Sequence, residues 1–453
     1  MRDSGSAIAA EVFMNMRVRM QVLAGLHRTK PNHMKSKPIT LVHITTVPQS
    51  LAFMTGQVGY MKARGFEVIG LSSPGALLTS FAEREGVPVY AVEMPRRITP
   101  WRDILAVLKL VLVLRRIHPQ IVHAHTPKGG LLGMLSAWII RTPVRIYHMR
   151  GLPFTTATGW RRRLLMWSER ISCGLADQVL CVSSSVRQLA VDSRLCRPEK
   201  IAVLAQGSGN GVDAAQQFND SNISPSLREE TRRRCNLPPD ALVLGFIGRI
   251  VRDKGIIELA GAWKELRKEF PDLHLLLVGP HELQDPIPAE IDRTLHGDPR
   301  VHFLGEVSNT PPLYAVMDVL ALPTYREGFP NVLLEAAGMQ VPVVSTQVPG
   351  CTDAVQDGVT GMLVPPCDAA SLAGALRTYL HDGELRRRHG AAARDRVLRE
   401  FRPEGIWQAV YEKYLELLEK KGIPVPDAGI TAILGESSTK VERAQRRLVK
   451  TSG

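Results

Sequence analysis

Short apolar segments alternate with helical stretches along most of this chain, and this alternation constrains its fold more than any other feature. One series predicts strands at residues 39–44, 66–71, 121–124, 145–148, 178–182 and 202–204, and a second at 242–247, 273–278, 301–304, 319–322 and 341–345. A helix between two strands returns the chain to the edge where the first strand began, so the strands run parallel. We therefore predict an α/β protein with two doubly wound parallel sheets.

Length and composition divide the chain into parts. A chain of 453 residues is too long for one typical core, so two or three domains are expected. Residues 1–38 are basic and lack an apolar period, which predicts a flexible extension in which Met34 is an alternative start. The predicted parts that follow are a first domain (39–215), a linker (216–240), a second domain (241–402), a final helix (403–421) and a tail (422–453).

The sequence has no apolar run of the length that crosses a bilayer, and residues 1–38 lack the continuous apolar core of a signal peptide. The six cysteines are scattered, and none forms a Cys-x-x-Cys pair. A structural zinc site or a disulfide framework is therefore not expected, and the composition fits a reducing cytoplasm.

Positive charge is concentrated in the first half of the chain. Residues 1–210 carry 28 Lys and Arg against 11 Asp and Glu, a net charge of +17, whereas the rest of the chain carries −4. An excess of this size favours an anionic partner. The sequence shows no zinc finger, basic zipper or aromatic RNA-binding strand, so we expect no nucleic acid and instead an anionic membrane surface.

Two segments of this basic half have the pattern of helices that lie on a membrane surface. In 160–167, Trp160, Leu164 and Trp167 fall on one helical face, and three arginines flank it. Residues 101–117 form an apolar helix with basic ends. Each segment is also consistent with a surface helix that packs its apolar stripe on the core, and for 101–117 that ordinary role is favoured.

Two carboxylates eight positions apart mark the most informative candidate site. Glu327 lies in the loop after the apolar strand 319–322, and Glu335 lies more than one turn inside the helix whose first turn suits Pro330. In an open parallel sheet, this loop faces the ligand crevice. A loop carboxylate can accept hydrogen bonds from sugar hydroxyls, a helical one can hold a ribose diol, and the helix N-terminus can receive phosphate. The pattern indicates a nucleotide-sugar site.

This stretch resembles the Glu-x7-Glu donor-site signature of the retaining glycosyltransferases of family 4. Gly-Arg-x4-Lys-Gly at 248–255 and Asn-Gly-Val-Asp at 210–213 are similar to two further motifs of that family, and the resemblance covers residues 39–421. It implies the GT-B fold, in which two Rossmann-like β/α/β domains face a central crevice and the final helix crosses back to the first domain. It also implies a hexosyltransferase without metal or cofactor, and the lack of any Asp-x-Asp agrees.

The resemblance implies a role for each motif residue. Arg249 and Lys254, in a turn that begins with Gly248, would converge on the donor diphosphate and stabilise the charge that develops there. Glu327 would lie near the donor sugar, and Glu335 would bind the ribose. The remaining donor-binding candidates are the backbone N–H groups of Gly328, Phe329 and Asn331.

The strand at 121–124 leads to candidates on the acceptor side. By strand alternation His123 and His125 point the same way, and His125 lies beyond the strand end and faces the crevice. In the resembled family a histidine at this position contacts the sugar or the acceptor, so His125 is a catalytic candidate. Lys128 and Arg150 are acceptor-side candidates.

These observations predict a cytoplasmic enzyme, peripheral to the inner face of the cell membrane. It would move a sugar, with retention of configuration, from a UDP-linked nucleotide-sugar to a lipid-diphosphate-linked saccharide in polysaccharide or glycan assembly. Two alternatives stay open: a nucleotide-sugar 2-epimerase on the same fold, and a non-catalytic membrane-bound scaffold that binds a nucleotide-sugar.

Overall fold

The computed structural model describes residues 38–282 and 285–425 and contains two parallel sheets. The first sheet has the strand order β3-β2-β1-β4-β5-β6-β7, and the second has the order β10-β9-β8-β11-β12-β13. The strands of both sheets pair in parallel, and helices connect them, which confirms the predicted fold class. The predicted extension, apart from Pro38, and the predicted tail beyond residue 425 lie outside the described residues.

The strands are short and mostly buried. The first sheet contains β1 (Ile39–Ile44), β2 (Phe66–Ser72), β3 (Val89–Ala91), β4 (Ile121–His125), β5 (Val144–Met149), β6 (Gln178–Cys181) and β7 (Ile201–Val203). The second contains β8 (Leu242–Ile247), β9 (Leu273–Val278), β10 (Val301–Gly305), β11 (Val319–Leu322), β12 (Val343–Thr346) and β13 (Gly361–Val364).

Helices connect these strands. Those of the first half are α1 (Gln57–Lys62), α2 (Ala76–Glu85), α3 (Pro100–Ile117), α4 (Pro127–Ile139), α5 (Gly159–Leu175) and α6 (Ser184–Asp192). They are followed by α7 (Pro225–Arg234), α8 (Ile256–Glu269), α9 (Ala289–His296), α10 (Pro311–Tyr314), α11 (Asn331–Gly338), α12 (Cys351–Ala354), α13 (Ala369–His381), α14 (Gly383–Glu400) and α15 (Pro403–Lys420).

Two edge strands, β3 and β13, are absent from the sequence prediction. The three residues of β3 are partly or fully exposed, so no buried apolar run marks them. Strand β13 begins at Gly361, a residue that favours turns, but here a Cβ at Gly361 would lie only 2.7 Å from a methyl group of Val343. The glycine therefore allows close strand approach, which single-sequence patterns do not reveal.

The two faces of the first sheet are covered by different helices. Val42 and Ile44 of β1 belong to one core with residues of α3, α4 and α5. Ile39 and Leu41, which alternate with them, belong to another core with residues of α1, α2 and α15. The last helix, α15, therefore packs on the first sheet, although it follows the second sheet in the chain.

Helices α3 and α5 carry apolar side chains on their outer faces. Helix α3 buries the stripe Ala106, Val107, Leu110, Val111 and Leu114. It exposes a second apolar row, Trp101, Ile104, Leu105, Leu108 and Leu112. The favoured interpretation of 101–117, a surface helix that packs an apolar stripe on the core, is therefore confirmed, and the exposed second row is a feature that it did not include. On α5, Trp160 and Trp167 are 73% and 60% exposed. No helix in the described ranges combines the length and apolar composition of a membrane span.

We expect Gly130→Ala to destabilise the fold, because a Cβ there would lie 2.2 Å from the buried ring of Tyr147. The ring is fixed in place, since its hydroxyl donates to Glu169 at 2.7 Å. The expected loss is about 1–3 kcal/mol. The matched control is Gly374→Ala in α13, where nothing lies within 4 Å of a Cβ. This change should leave stability equal or raise it by about 0.5–1 kcal/mol. The midpoint of urea unfolding measures both effects, and equal midpoint shifts for the two variants would contradict the packing argument.

Candidate active site between the two sheets

The loop after β11 is fastened to the loop after β8, and this places two predicted residues together. The amide of Tyr325 donates to the carbonyl of Asp253 at 2.9 Å, and Arg326 forms an ion pair with the Asp253 carboxylate at 2.7 Å. A Cβ at Gly255, where φ is +73°, would lie 1.9 Å from the carbonyl oxygen of Pro323. Glycine is therefore required for the close approach of the two loops.

Lys254 and Glu327 form an ion pair at this junction. Their side chains are 18% and 12% exposed, so both charges are largely removed from water. A pair with so little exposure requires mutual neutralisation, because either charge alone would be costly to bury. The structure thus brings two predicted site residues into direct contact, a pairing that the sequence analysis did not anticipate.

Arg249 is held by a different carboxylate. Its guanidinium contacts Glu282 at 2.7 Å, and Glu282 also binds Arg96, from the loop before α3, at 3.2 Å. Partial burial acts to raise the pKa of Glu282, but the hydrogen bonds and charges of the two arginines outweigh it and lower that pKa. In the structure, Arg249 and Lys254 therefore do not contact one common anion, because each is paired with a different carboxylate. Neither Glu282 nor Arg96 lies in a motif that sequence reasoning could have used.

Gly248 and Gly328 are points of close backbone approach. The N–H of Gly248 donates to the carbonyl of Val278 at 2.9 Å, so it is already engaged in the sheet. A Cβ at Gly328 would lie 2.0 Å from the carbonyl oxygen of Arg150, which follows β5. The hydroxyl of Ser183 donates to the carbonyl of Gly328 at 2.9 Å. The loop that carries Glu327 thus touches the loops at the carboxyl edge of the first sheet.

Helix α11 begins directly after this loop. Pro330, expected in the first helical turn, is instead the N-cap residue, and the helix starts at Asn331. The N-cap position leaves the first N–H groups of the helix outside the helical hydrogen-bond ladder. Phe329 is half-buried and packs near Phe401, with ring centroids 5.4 Å apart. Asn331 accepts a hydrogen bond from the Ser208 hydroxyl at 3.2 Å.

Glu335 lies one turn further along α11 and is half-buried. The hydroxyl of Tyr314 donates to its Oε2 at 2.8 Å. Burial raises the pKa of Glu335, and the Tyr314 hydrogen bond partly counters this. Tyr314 therefore fixes one oxygen of the carboxylate, a positioning contact that sequence reasoning missed because the two residues are 21 positions apart.

Another contact between the two halves involves Asp353, which follows β12. Its Oδ1 accepts hydrogen bonds from the amides of Ser184 at 2.9 Å and Ser185 at 3.2 Å. These amides are at the start of α6, where the helix dipole favours a negative charge. The amide of Gly350 donates to the Ser185 hydroxyl at 2.7 Å. The loop after β12 and the start of α6 are therefore joined by several hydrogen bonds.

Four histidines form a cluster at the carboxyl ends of the central strands of the first sheet. Strand register places His43 beside His123 and His125 beside His148. His123 and His125 lie on the same face, as alternation predicts, with stacked rings 4.2 Å apart. His125 is the last residue of β4 and is buried, so the expectation that it lies beyond the strand is wrong.

Arg150 fixes the tautomer of His125 in this cluster. Its Nε donates to Nδ1 of His125 at 3.2 Å, and Nε2 of His125 lies 2.9 Å from Nδ1 of His43. A guanidinium only donates, so in the neutral ring the proton of His125 is on Nε2 and is donated to His43. Both ring nitrogens of His125 are thus engaged within the protein. Burial, with the charge of Arg150, lowers the pKa of His43 to about 3.

Three of the histidines also lie close enough together to be considered as metal ligands. Nitrogen atoms of His43, His123 and His125 lie within 4.8 Å of one another. The Arg150 guanidinium already occupies one nitrogen of His125. A fixed positive charge at this distance opposes a bound cation. The cluster therefore does not fit a metal ion.

Lys128 and Arg150 were predicted on the acceptor side, and both are engaged in internal contacts. The ammonium of Lys128 forms an ion pair with Asp103 of α3 at 2.6 Å. Arg150 donates to His125, and its guanidinium stacks over Phe53 at 4.7 Å from the ring centroid. Lys128 joins α4 to α3, whereas Arg150 lies next to Gly328 through its backbone.

Two protein-family models match the chain. The model described as "Glycosyl transferase 4-like domain" matches residues 33–207, and "Glycosyl transferases group 1" matches residues 241–382. The capsular polysaccharide biosynthesis glycosyltransferase CapM of Staphylococcus aureus is 33% identical over 380 residues, which are 84% of this chain and 98% of CapM. UDP-Gal:alpha-D-GlcNAc-diphosphoundecaprenol alpha-1,3-galactosyltransferase of Escherichia coli is 23% identical over 323 residues, 71% and 81% of the two chains.

Solved structures share the fold. Alr3699/HepE of Anabaena, in complex with UDP-glucose, superposes with a TM-score of 0.68 at 21% identity, over 83% of this chain and all of that chain. WaaG, a glycosyltransferase involved in lipopolysaccharide biosynthesis, gives a TM-score of 0.62 at 17% identity, over 83% of this chain and 99% of its own. At these identities the likeness shows the fold alone.

We expect His43 to make stability depend on acid pH. Its pKa is about 3 when folded and 6.5 as a free side chain, so below pH 6.5 the unfolded chain binds the extra proton. Stability should fall as pH decreases from about 6.5 towards 3, by about 1.4 kcal/mol for each pH unit from this group.

The comparison of His43→Asn with the wild-type protein isolates this contribution, because the asparagine oxygen can still accept from His125. Glu169, whose pKa burial raises to about 7, acts in the opposite direction in both proteins. Urea unfolding at pH 4 to 7 should show a shallower acid loss in the variant. Parallel curves would mean that His43 accepts a proton in the folded state.

Proposed function

Because this chain belongs to the family 4 glycosyltransferases with the GT-B fold, we propose that it is a retaining transferase that moves a sugar from a UDP-linked donor to a lipid-diphosphate-linked saccharide. The transfer would serve the assembly of a surface polysaccharide. The observation that carries the proposal is the half-buried Lys254–Glu327 pair beside the start of α11. It provides a cation for a diphosphate and a carboxylate for a sugar at one place.

Relatives support the proposed substrates. Alr3699/HepE was solved in complex with UDP and with UDP-glucose. The name of the Escherichia coli relative specifies a UDP-galactose donor and a diphosphoundecaprenol-linked acceptor, and the Staphylococcus aureus relative acts in capsular polysaccharide biosynthesis. A lipid-linked acceptor also agrees with the basic first half and the exposed apolar residues of α3 and α5.

The proposed mechanism uses the charged residues in separate roles. When the bond between the sugar C1 and the diphosphate oxygen breaks, negative charge develops on the diphosphate, and Arg249 and Lys254 stabilise it. To reach the donor, Arg249 exchanges Glu282 for phosphate oxygens. The acceptor hydroxyl attacks C1 on the face from which the diphosphate departs, and its proton passes to a diphosphate oxygen. This geometry retains the anomeric configuration without a covalent enzyme intermediate.

Carboxylates and backbone groups orient the donor in this proposal. Glu327 orients Lys254 and accepts a hydrogen bond from a sugar hydroxyl, and its pairing with Lys254 argues against a nucleophilic role. Glu335, with one oxygen fixed by Tyr314, uses the other for the ribose diol. Amides of Gly328, Phe329 and Asn331 at the start of α11 approach the phosphate and sugar. Arg150, through its backbone contact with Gly328, and His125 behind it hold this loop in position on the acceptor side.

The test of the activity is an incubation of the purified protein with a panel of nucleotide-sugars and a lipid-diphosphate-linked saccharide, analysed by mass. A product heavier by one sugar, with release of the nucleotide, is expected, and the anomeric proton coupling in its NMR spectrum should match that of the donor. Inversion of the anomeric centre would overturn the retaining mechanism. Return of the donor as its C2 epimer without transfer would instead assign the chain to the epimerases.

We expect Lys254→Met to lower kcat/KM by about 10²–10³, since it removes a cation aligned with the developing diphosphate charge. Arg249→Met should act in the same direction. The matched control is Lys264→Met on α8, which removes the same charge from an exposed position of the same half. Initial rates of UDP release in the presence of acceptor measure the effect. Equal rates for Lys254→Met and the control would remove Lys254 from the site.

The proposed membrane contact is the outer face of α3, α4 and α5. Helix α4 packs between α3 and α5 and adds exposed Trp138, so the three helices form one layer. Trp101, at 82% exposure, begins the apolar row of α3. Arg161 and Arg163 of α5 are exposed and have no ion-pair partner among the described residues. Exposed aromatic and aliphatic residues beside unpaired cations favour an anionic bilayer surface. This supports the proposal that the enzyme works at the inner face of the cell membrane.

We expect Arg161→Glu with Arg163→Glu to weaken binding to phosphatidylglycerol-containing vesicles by about tenfold or more, because each basic residue near the surface contributes about 1 kcal/mol. The matched control is Arg233→Glu with Arg234→Glu, which makes the same charge change on exposed residues of α7. Vesicle sedimentation at low and high salt measures binding, and high salt should reproduce the loss. Transfer to a water-soluble short-chain acceptor should not change. Equal binding by both double variants would contradict the proposed surface.

A further inference from the structure

A second group of candidate metal ligands lies on the surface of the second half of the chain. Asp292 and His296 are one turn apart on α9, and His281 is in the loop after β9. Nε2 of His281 lies 3.2 Å from Oδ1 of Asp292, and Nδ1 of His296 lies 3.3 Å from the same oxygen. Two imidazoles from different segments therefore meet at one carboxylate oxygen.

These separations match those of ligands around one ion. Zinc binds imidazole and carboxylate ligands at about 2.0–2.2 Å in a tetrahedron, which places neighbouring ligand atoms about 3.3 Å apart. The ligand atoms of the three residues all lie within 4.8 Å of one another, so the remaining pair has to close by at most about 1.5 Å. The side chains are 37–50% exposed, which leaves room for this movement and access for an ion.

The ring of Phe303 in β10 packs against both imidazoles. Its centroid lies 3.9 Å from that of His296, with the ring planes 7° apart, and 5.7 Å from that of His281. Such stacking restricts the rotation of the two imidazoles. The entropy lost when the ligands are ordered around an ion is therefore reduced, because part of it is already lost in the metal-free protein.

The carboxylate distinguishes this group from the buried histidine cluster. Asp292 forms no ion pair with a lysine or arginine within the described part of the chain, so its charge is available to a cation. In the buried cluster, by contrast, the guanidinium of Arg150 donates to His125 and opposes a cation. Two imidazoles with one carboxylate suit zinc and similar transition metals, whereas magnesium and calcium prefer sets of oxygen ligands.

We propose that His281, Asp292 and His296 form a binding site for zinc or a chemically similar divalent transition metal, with water in the open positions. On binding, each imidazole nitrogen gives up any proton it carries, and Nδ1 of His296 exchanges its contact with the Asp292 carbonyl, at 3.0 Å, for the ion. The ion takes no part in the sugar transfer proposed above. The sequence analysis missed this group because His281 is 11 positions from Asp292.

The position of the site connects it to the donor site. The residue after His281 is Glu282, which pairs with Arg249. His281 also pairs with Ile250 in an isolated β-bridge, so its backbone follows the loop of Arg249. A metal that joins His281 to α9 restrains Glu282 in this position. Given the proposed function, in which Arg249 exchanges Glu282 for phosphate, the metal should weaken the binding of UDP.

Titration with metal alone tests the site. In calorimetry of the full-length protein without a polyhistidine tag, His296→Asn and Asp292→Asn should each weaken Zn²⁺ binding by at least about tenfold, because loss of a direct ligand costs more than loss of an outer contact. The matched control is His381→Asn. His381 also ends a helix and contacts a carboxylate, that of Glu269 at 2.9 Å, but Arg377 already neutralises it. Equal Zn²⁺ affinity of the wild-type protein and His296→Asn, or displacement of Zn²⁺ by an equal concentration of Mg²⁺, would overturn the site.

A measurement on the wild-type protein does not depend on how the variants fold. Diethyl pyrocarbonate modifies accessible imidazoles, and peptide mass spectrometry quantifies each one. Zn²⁺ should protect His281 and His296 from modification, but not the exposed His381. Equal modification of His281 and His296 with and without Zn²⁺ would refute the metal site.

UDP titrations of the metal-free and the Zn²⁺-loaded protein test the coupling to the donor site. Zn²⁺ should raise the Kd for UDP by about fivefold or more in the wild-type protein. It should raise it less in His296→Asn, and this comparison corrects for direct binding of Zn²⁺ to UDP. Equal increases in both proteins would refute the coupling. Failure of the metal-free protein to bind UDP would instead contradict the proposed function, whereas the protection experiment decides on the metal site by itself.

Discussion

The structure depends on one contact that tolerates no side chain, where Gly328 meets the backbone of Arg150. Two other segments converge on the same residue: the carbonyl of Gly328 accepts from Ser183, and a Cβ at Gly350 would lie 2.4 Å from that carbonyl. Each of these segments follows a strand of one sheet or the other. Since Glu327 precedes Gly328 directly, the contact between the two halves sets the position of the carboxylate of the candidate site. Any relative movement of the sheets therefore moves Glu327 against β5 and its neighbours.

Behind this contact, burial and the charge of Arg150 together keep the four histidines neutral. Burial lowers the pKa of Arg150 to about 9, so the guanidinium remains charged at neutral pH. Its hydrogen bond to His125 and its position over Phe53 partly replace the water it has lost. A second positive charge on the adjacent imidazoles would be unfavourable, and burial lowers the pKa of all four. The cluster is therefore suited to hold a rigid wall beside the site and not to transfer protons.

Local sequence patterns were enough to predict several features of the site, whereas contacts between residues far apart in the chain were missed. The strands around the site, the loop position of Glu327 and the common face of His123 and His125 all follow from apolar runs and alternation. The ion pair of Lys254 with Glu327 does not, because 73 residues separate them and the approach of their loops requires Gly255. The histidine cluster needs the register of three strands, and the single residues Glu282 and Tyr314 carry no motif at all. The domain boundaries proposed from composition remain predictions.

The net charge of each half does not show which basic side chains can bind a partner. This depends on whether each one already forms an ion pair within the protein. In the first half, Lys128 is neutralised by Asp103 and Arg145 by Asp177, so neither contributes a free charge. Arg161 and Arg163 have no such partner among the described residues, and they lie on the helix layer that also exposes tryptophan. In the second half, Arg249 and Lys254 are both paired, but with carboxylates that a diphosphate can replace or share. In a half-buried site, a paired cation stays neutralised until an anion of higher charge takes the place of its partner. An unpaired cation on the outer face instead attracts a charged surface over a longer distance. The same residue type thus serves short-range chemistry at the crevice and long-range attraction at the outer helices, and the difference lies in the neighbouring acids.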